Sequence, residues 1–273
     1  MNEAQRCKQW ATSSSSSSPS SYDYDPAILN YRYLCDLTLS VLGCGDIGRT
    51  IAKSAKHGFQ MKTLGWMRKS SSEQHAGAAA AAAARAVDQK QGFFDQYTSD
   101  LVEAIAKSDY VVSALPSTPD TYHMLTNQLF VDALNLRKKF LEGGGSGGGK
   151  SMSAADSRPN SRPPVFINVG RGDVIRTSVL LECLDDGLLG HAILDVVEDE
   201  PLPLESPLWS HPNITISPHV SGLTRSSDVP RLIKEQYELY INMGGSGDDC
   251  NNPTTATTST KNLKYKVDWD KGY

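Results

Sequence analysis

The 273-residue sequence is poor in apolar residues, in cysteine and in surplus positive charge, and each shortage excludes something. Apolar residues make up 39% and mean hydropathy is -0.38, below the usual globular apolar share of roughly 45–50%. The deficit is local. Ser13–Ser18, Ala78–Ala84 and Gly143–Gly149 are homopolymer-like tracts, and Asp248–Thr260 is nearly all small and polar. Setting these and their flanks aside leaves about 180 patterned residues, enough for one α/β domain. No run approaches the ~18 apolar residues that cross a bilayer, which excludes a membrane-spanning helix. Lys and Arg number 27 against 31 Asp and Glu, a formal net charge of -4, so there is no basic footprint for nucleic acid. The five cysteines (Cys7, Cys35, Cys44, Cys183, Cys250) show no CxxC spacing. They fit neither a disulfide framework nor a zinc site, and no metal is expected. A reducing compartment, the cytoplasm, is the reading. An organelle stays open because residues 11–21 are serine-rich like a transit peptide, although Glu3 and the few basic residues argue against one.

What remains is an alternation of short β-branched runs with helical patterns. Leu37–Leu42 reads as a strand, followed by a helix with Ile47, Ile51, Ala52 and Ala55 on one face and Gly58 closing it. Lys62–Met67 reads as a second strand. Ser99 is a candidate cap for a helix carrying Leu101, Val102, Ile105 and Ala106, ahead of a buried-type strand at Tyr110–Leu115. Val165–Val169, Ala192–Val196 and Ile214–Ser217 read as strands. A helix from Thr177, with Leu180, Leu181 and Leu184, ends at Gly187. Strands spaced by helices predict a Rossmann-type, doubly wound parallel sheet. Its expected span is 37–243, with low-complexity insertions near 70–97 and 142–163, a leading segment 1–36 and a tail 244–273.

Gly43-Cys44-Gly45-Asp46-Ile47-Gly48 falls directly between the first strand and the first helix. In that setting a glycine at 43 permits the tight turn, one at 45 admits a pyrophosphate, and one at 48 lets helix and strand pack closely. The helix N-terminus adds free N–H groups and a partial positive charge. The bland alternative is a glycine-rich turn. An enzyme preferring NAD(H) places a carboxylate at the end of the second strand for the ribose 2′-hydroxyl. Here the stretch is Gly65-Trp66-Met67-Arg68-Lys69-Ser70. Arg68 can pair with a 2′-phosphate, so NADP(H) is favoured, with NAD(H) possible; the alternative is a solvated basic loop.

Three later segments carry candidate chemistry. Phe166-Ile167-Asn168-Val169-Gly170-Arg171-Gly172 sets an arginine beyond a buried strand. Leu194-Asp195-Val196-Val197-Glu198-Asp199-Glu200-Pro201 follows another, and Ile216-Ser217-Pro218-His219-Val220-Ser221 sets a histidine after the last. Strand carboxyl ends border the ligand crevice of an open parallel sheet, so Arg171, Glu200 and His219 are predicted to converge there. Alternatives are a loop cap for Arg171, one more member of an exposed acidic run for Glu200, and a turn histidine for His219. The remaining histidines, His123 among them, are given no chemistry, and Trp209 is read as packing.

These blocks, with Leu115-Pro116-Ser117-Thr118-Pro119-Asp120-Thr121 and the terminal Val267-Asp268-Trp269-Asp270-Lys271-Gly272-Tyr273, resemble the D-2-hydroxyacid dehydrogenase family and its glyoxylate/hydroxypyruvate reductase branch. The resemblance implies hydride transfer between a nicotinamide and a small 2-keto or 2-hydroxy acid. It assigns the substrate carboxylate to Arg171, proton exchange to His219 and orientation of the imidazole to Glu200. It implies cofactor contacts from Gly43, Gly45, Asp46, Ile47, Gly48, Arg68, Lys69, Leu115, Pro116 and Val169, and places Asp195 and Ser221 near the carboxamide. It also implies a homodimer. Relatives carry a substrate domain ahead of the dinucleotide-binding domain, whereas only residues 1–36 precede the first predicted strand here. The expectation is a chain without a complete second domain, and its helix at Asp228–Asn242 would show an exposed apolar face. A dinucleotide-binding sensor or scaffold without catalysis is the alternative.

Overall fold

A computed structural model describes residues 32–68, 92–142, 162–222 and 226–242. Seven strands form one all-parallel sheet: β1 (Thr38–Leu42), β2 (Lys62–Trp66), β3 (Gln96–Thr98), β4 (Tyr110–Ser113), β5 (Val165–Asn168), β6 (His191–Leu194) and β7 (Ile214–Ile216). Their order is β3-β2-β1-β4-β5-β6-β7, so the winding reverses between β1 and β4. That reversal opens a crevice at the strand carboxyl ends. The α-helices are α1 (Asp46–Phe59), α2 (Leu101–Ala106), α3 (Asn127–Glu142), α4 (Thr177–Asp185) and α5 (Asp228–Asn242). The predicted doubly wound α/β class is the fold observed.

The central strands are buried on both faces, as a sheet covered by helices on each side requires. Val41, Leu42, Val111 and Phe166 are essentially inaccessible. One apolar cluster joins Leu42, Val111, Phe166, Leu180 and Leu194; the other joins Leu39, Val41, Ala52, Ala55 and Phe94 on the α1 side. Cys183 belongs to the first cluster, and burial, helped by Glu182 and Asp186, pushes its thiol up to about 12. It is packing, not a nucleophile.

Several local expectations are corrected. α1 runs through Gly58 to Phe59 and ends at Gln60 in the left-handed region (φ 56), so Gly58 does not close it. Ile47 is exposed rather than on the buried face. Asp100, not Ser99, caps α2 by accepting from the Glu103 amide at 3.1 Å. The insertion expected near 70–97 gives way to folded chain earlier: Phe94 is buried and Gln96–Thr98 is the edge strand β3, paired with Leu64–Trp66. Trp209 is exposed and donates from Nε1 to the Pro203 carbonyl, while its neighbour Leu208 is the buried residue.

α3 is an element that apolar spacing did not reveal. Its apolar residues Leu129, Phe130, Val131, Ala133, Leu134 and Leu136 fall around most of the helix, and the buried face includes a charge, Arg137. The Arg137 guanidinium donates to the Ala106 and Ser108 carbonyls and pairs with Asp109, which also binds Arg32 and the Thr38 amide. A buried charge so satisfied ties α3 to the amino ends of β1 and β4, away from the crevice. α5 presents Val229, Leu232, Ile233, Tyr237 and Ile241 to solvent, as expected. Among the described residues no helix is long and apolar enough to cross a membrane.

Candidate functional site

The crevice begins at the glycine turn. Gly43 adopts φ +99, and a Cβ there would meet the Ala114 carbonyl oxygen at 2.8 Å; only glycine combines that turn with that approach. A Cβ on Gly48 would collide with the Gly43 carbonyl oxygen, so α1 packs hard against the turn. Gly45, by contrast, is the N-cap of α1 with no side-chain cap, and a Cβ there meets nothing within 4 Å. Open space in front of uncapped helical amides is a cradle for an anion. A dinucleotide's pyrophosphate fits it. Asp46 and Ile47 open the helix beside it, both exposed.

Around this turn, Leu115 is buried, and its amide and carbonyl stand so close to Gly170 that a Cβ there would meet them at 2.7 and 2.6 Å. Pro116 uses its carbonyl to accept from Thr121 Oγ1 at 2.6 Å, and the Val169 amide donates to the Ser113 carbonyl. Arg68, two residues beyond β2, pairs with Asp120 at 2.9 Å. Lys69 lies outside the described residues, as do the terminal segment 267–273 and the low-complexity tracts.

The expected catalytic residues follow three adjacent strands, β5, β6 and β7. Glu200 and His219 are brought together: Glu200 Oε2 lies 2.8 Å from His219 Nδ1. Glu200 is further held by the Val197 amide, which donates to Oε1 at 3.1 Å. Arg171 is exposed and donates from Nη1 to the Gly170 carbonyl. Its turn is fixed against that of β6, because Gly172 touches the Val197 carbonyl so closely that any Cβ would overlap it. Asn168 Nδ2 adds a bond to the Arg171 carbonyl.

Asp195, buried at the end of β6, organises the histidine loop. Its carboxylate accepts from Ser217 Oγ (2.5 Å), the Val220 amide (2.9 Å), the Ser221 amide (3.0 Å) and Ser221 Oγ (2.6 Å). Burial opposes ionisation, but these four donors outweigh it and hold the carboxyl far below its usual range. The Asp195 carbonyl also accepts from the His219 amide at 2.9 Å. The loop thereby fixes His219 at φ 53, left-handed backbone that a non-glycine residue adopts only when its surroundings enforce it.

One pair was missed in the sequence. His123 Nε2 lies 2.9 Å from Glu198 Oε1, and Arg176 Nε donates to His123 Nδ1 at 3.1 Å. Glu198 Oε2 accepts from the Thr177 amide at 2.6 Å, at the start of α4. Nothing in the local pattern of either residue signals this, since they are 75 positions apart.

Comparison with known proteins follows the same lines. A family profile for the D-isomer specific 2-hydroxyacid dehydrogenase NAD binding domain matches residues 4–134 and 158–221. Glyoxylate/hydroxypyruvate reductase B of Serratia proteamaculans (strain 568) is 32% identical over 190 residues, 70% of this chain and 45% of that protein. The chain thus spans about half the length of the curated relatives it matches. A D-isomer specific 2-hydroxyacid dehydrogenase family protein from Aeromonas salmonicida subsp. salmonicida A449 superposes with a TM-score of 0.56 at 30% identity, over 90% of this chain and 60% of that one. A probable 2-hydroxyacid dehydrogenase from Rhizobium etli CFN 42, solved in complex with NADP, HEPES and L(+)-tartaric acid, superposes with a TM-score of 0.60 at 23% identity. That superposition covers 99% of this chain and 62% of the other.

Proposed function

Because the chain belongs to the D-isomer specific 2-hydroxyacid dehydrogenases, we propose that it is an NADP(H)-dependent reductase of a small 2-keto acid of the glyoxylate or hydroxypyruvate type. The observation that carries this reading is the Glu200–His219 pair at 2.8 Å, held at the crevice by a loop anchored on Asp195. The curated relatives named glyoxylate/hydroxypyruvate reductase support the substrate class.

When bound, a reduced nicotinamide dinucleotide supplies the hydride. The chain's own residues do the rest. The amides of α1 beyond Gly45 receive the pyrophosphate, and Arg68, with no carboxylate at the end of β2, receives a 2′-phosphate. Lys69 would lend a second charge, and Leu115, Pro116 and Val169 would line the walls. Arg171 releases the Gly170 carbonyl to grip the substrate carboxylate through two parallel N–H bonds. Glu200 holds Nδ1 of His219, so the ring offers its Nε2 proton to the carbonyl oxygen and takes it back in the reverse direction. Asp195 and Ser221 would be the residues nearest a bound carboxamide.

We read 37–243 as the dinucleotide-binding unit, flanked by 1–36 and 244–273. The reading includes a homodimer and a cytoplasmic, reducing setting, supported by five cysteines scattered without CxxC spacing. The test is NADPH and NADH oxidation by the purified chain with glyoxylate and hydroxypyruvate. NADPH is expected to be consumed in preference. Dinucleotide binding without turnover overturns the catalytic claim and leaves a binding module.

A further inference from the structure

The Arg68–Asp120 ion pair crosses the nucleotide crevice. Arg68 follows β2 and Asp120 lies in the turn after β4, while β1 and its glycine turn stand between those strands. A 2.9 Å contact between Nη1 and Oδ2 therefore spans the carboxyl end of β1. Neither residue has another ion pair among the described residues. Asp120 is presented by a built turn, not a loose one. Buried Thr118 and Thr121 lock it, with the Thr118 amide donating to Thr121 Oγ1 at 2.9 Å and Thr121 Oγ1 donating to the Pro116 carbonyl at 2.6 Å.

Two anions thus compete for one guanidinium: the Asp120 carboxylate and the 2′-phosphate assigned to Arg68 above, a reading on which this inference rests. We infer that Asp120 is a specificity-determining residue, an internal stand-in for the 2′-phosphate that NADP(H) must displace from Arg68. NADP(H) breaks the Arg68–Asp120 pair and leaves a carboxylate beside its own phosphate. NAD(H) has no such group and leaves the pair in place. Asp120 therefore weakens NADP(H) binding selectively and narrows the preference that Arg68 creates.

The test uses the full 273-residue chain and dissociation constants for NADPH and NADH, read from the fluorescence of the reduced nucleotides. D120N is expected to tighten NADPH roughly two- to fivefold, the range of an exposed ion pair. It should leave NADH within about 1.5-fold, and the gain should shrink at high salt as screening sets in. In an R68A background, D120N should gain nothing. An unchanged NADPH constant in D120N, an equal gain for NADH, or a gain that survives R68A overturns the role of Asp120. If R68A weakens NADPH while D120N is silent, only Asp120 is lost. If R68A weakens both nucleotides alike, or the chain binds neither, the NADP(H) reading falls with it.

Discussion

Glu198 and Glu200 leave the same turn after β6, and each takes a histidine, yet the two pairs differ in what they have left to give. In the His123–Glu198 pair the side chains are 14% and 26% exposed. Both imidazole nitrogens are occupied, by Glu198 and Arg176, and both Glu198 oxygens are occupied, by His123 and the Thr177 amide. In the His219–Glu200 pair they are 54% and 37% exposed. Among the described residues no hydrogen bond reaches His219 Nε2. A ring with both nitrogens engaged braces loops; an exposed ring with one nitrogen unengaged among the described residues can exchange a proton. The same chemical unit can brace loops or be left able to exchange a proton according to what its neighbours leave unused.

The sharpest way to break this contrast is H219N. It should lower NADPH oxidation with glyoxylate by about 10²–10⁴-fold, the usual worth of a positioned acid. The NADPH dissociation constant should stay within about twofold, and stability within about 0.5 kcal/mol, because the ring is exposed. Undiminished turnover would reduce this pair, too, to a strut. A smaller effect separates the two carboxylates. E198Q should destabilise the fold by about 1–2 kcal/mol in urea unfolding, because one of two partly buried donors would then face an amide N–H. E200Q, at a half-exposed position, should cost under about 0.5 kcal/mol while cutting turnover. A reversed order of stabilities would show that the exposed pair is the structural one.

The contrast also marks what could be read from sequence. The glycine turn was legible because its signal is local: Gly43, Gly45 and Gly48 sit between a strand and a helix, and each spacing has its own steric reason. The placement of Arg171, Glu200 and His219 just beyond β5, β6 and β7 was legible because parallel strands deliver their ends to one side. His123–Glu198 was not, because the turn after β4 and the turn after β6 meet only once the sheet is assembled. Glu198 also looked like one member of an acidic run. Asp195 was placed near the cofactor by resemblance, whereas its four accepted hydrogen bonds to the histidine loop are visible only in three dimensions. α3 escaped because a buried Arg137 interrupts the apolar face that periodicity seeks. At Arg68 the sequence pointed to a phosphate ligand but not to the carboxylate already facing it.

The finest discrimination is in the acid limb of stability. For Glu198, burial works against the charge, but hydrogen bonds from Thr177 and His123 prevail and lower its pKa; for Asp195 the same contest ends still further below the usual range. A carboxylate whose folded pKa lies below its unfolded value, about 3.9 for Asp and 4.3 for Glu, stabilises the fold at neutral pH. That contribution is lost as pH falls through the unfolded value towards the folded one. Wild-type stability should therefore decline from about pH 5 downward. E198Q and D195N, each less stable at pH 7, should show a decline shallower by about 1 kcal/mol between pH 5 and pH 3, because the proton they would have taken up has no site. Urea unfolding across that range measures it. A D195N slope matching wild type would mean that the histidine loop is held by its backbone bonds, and that the Asp195 charge contributes nothing to the pose of His219.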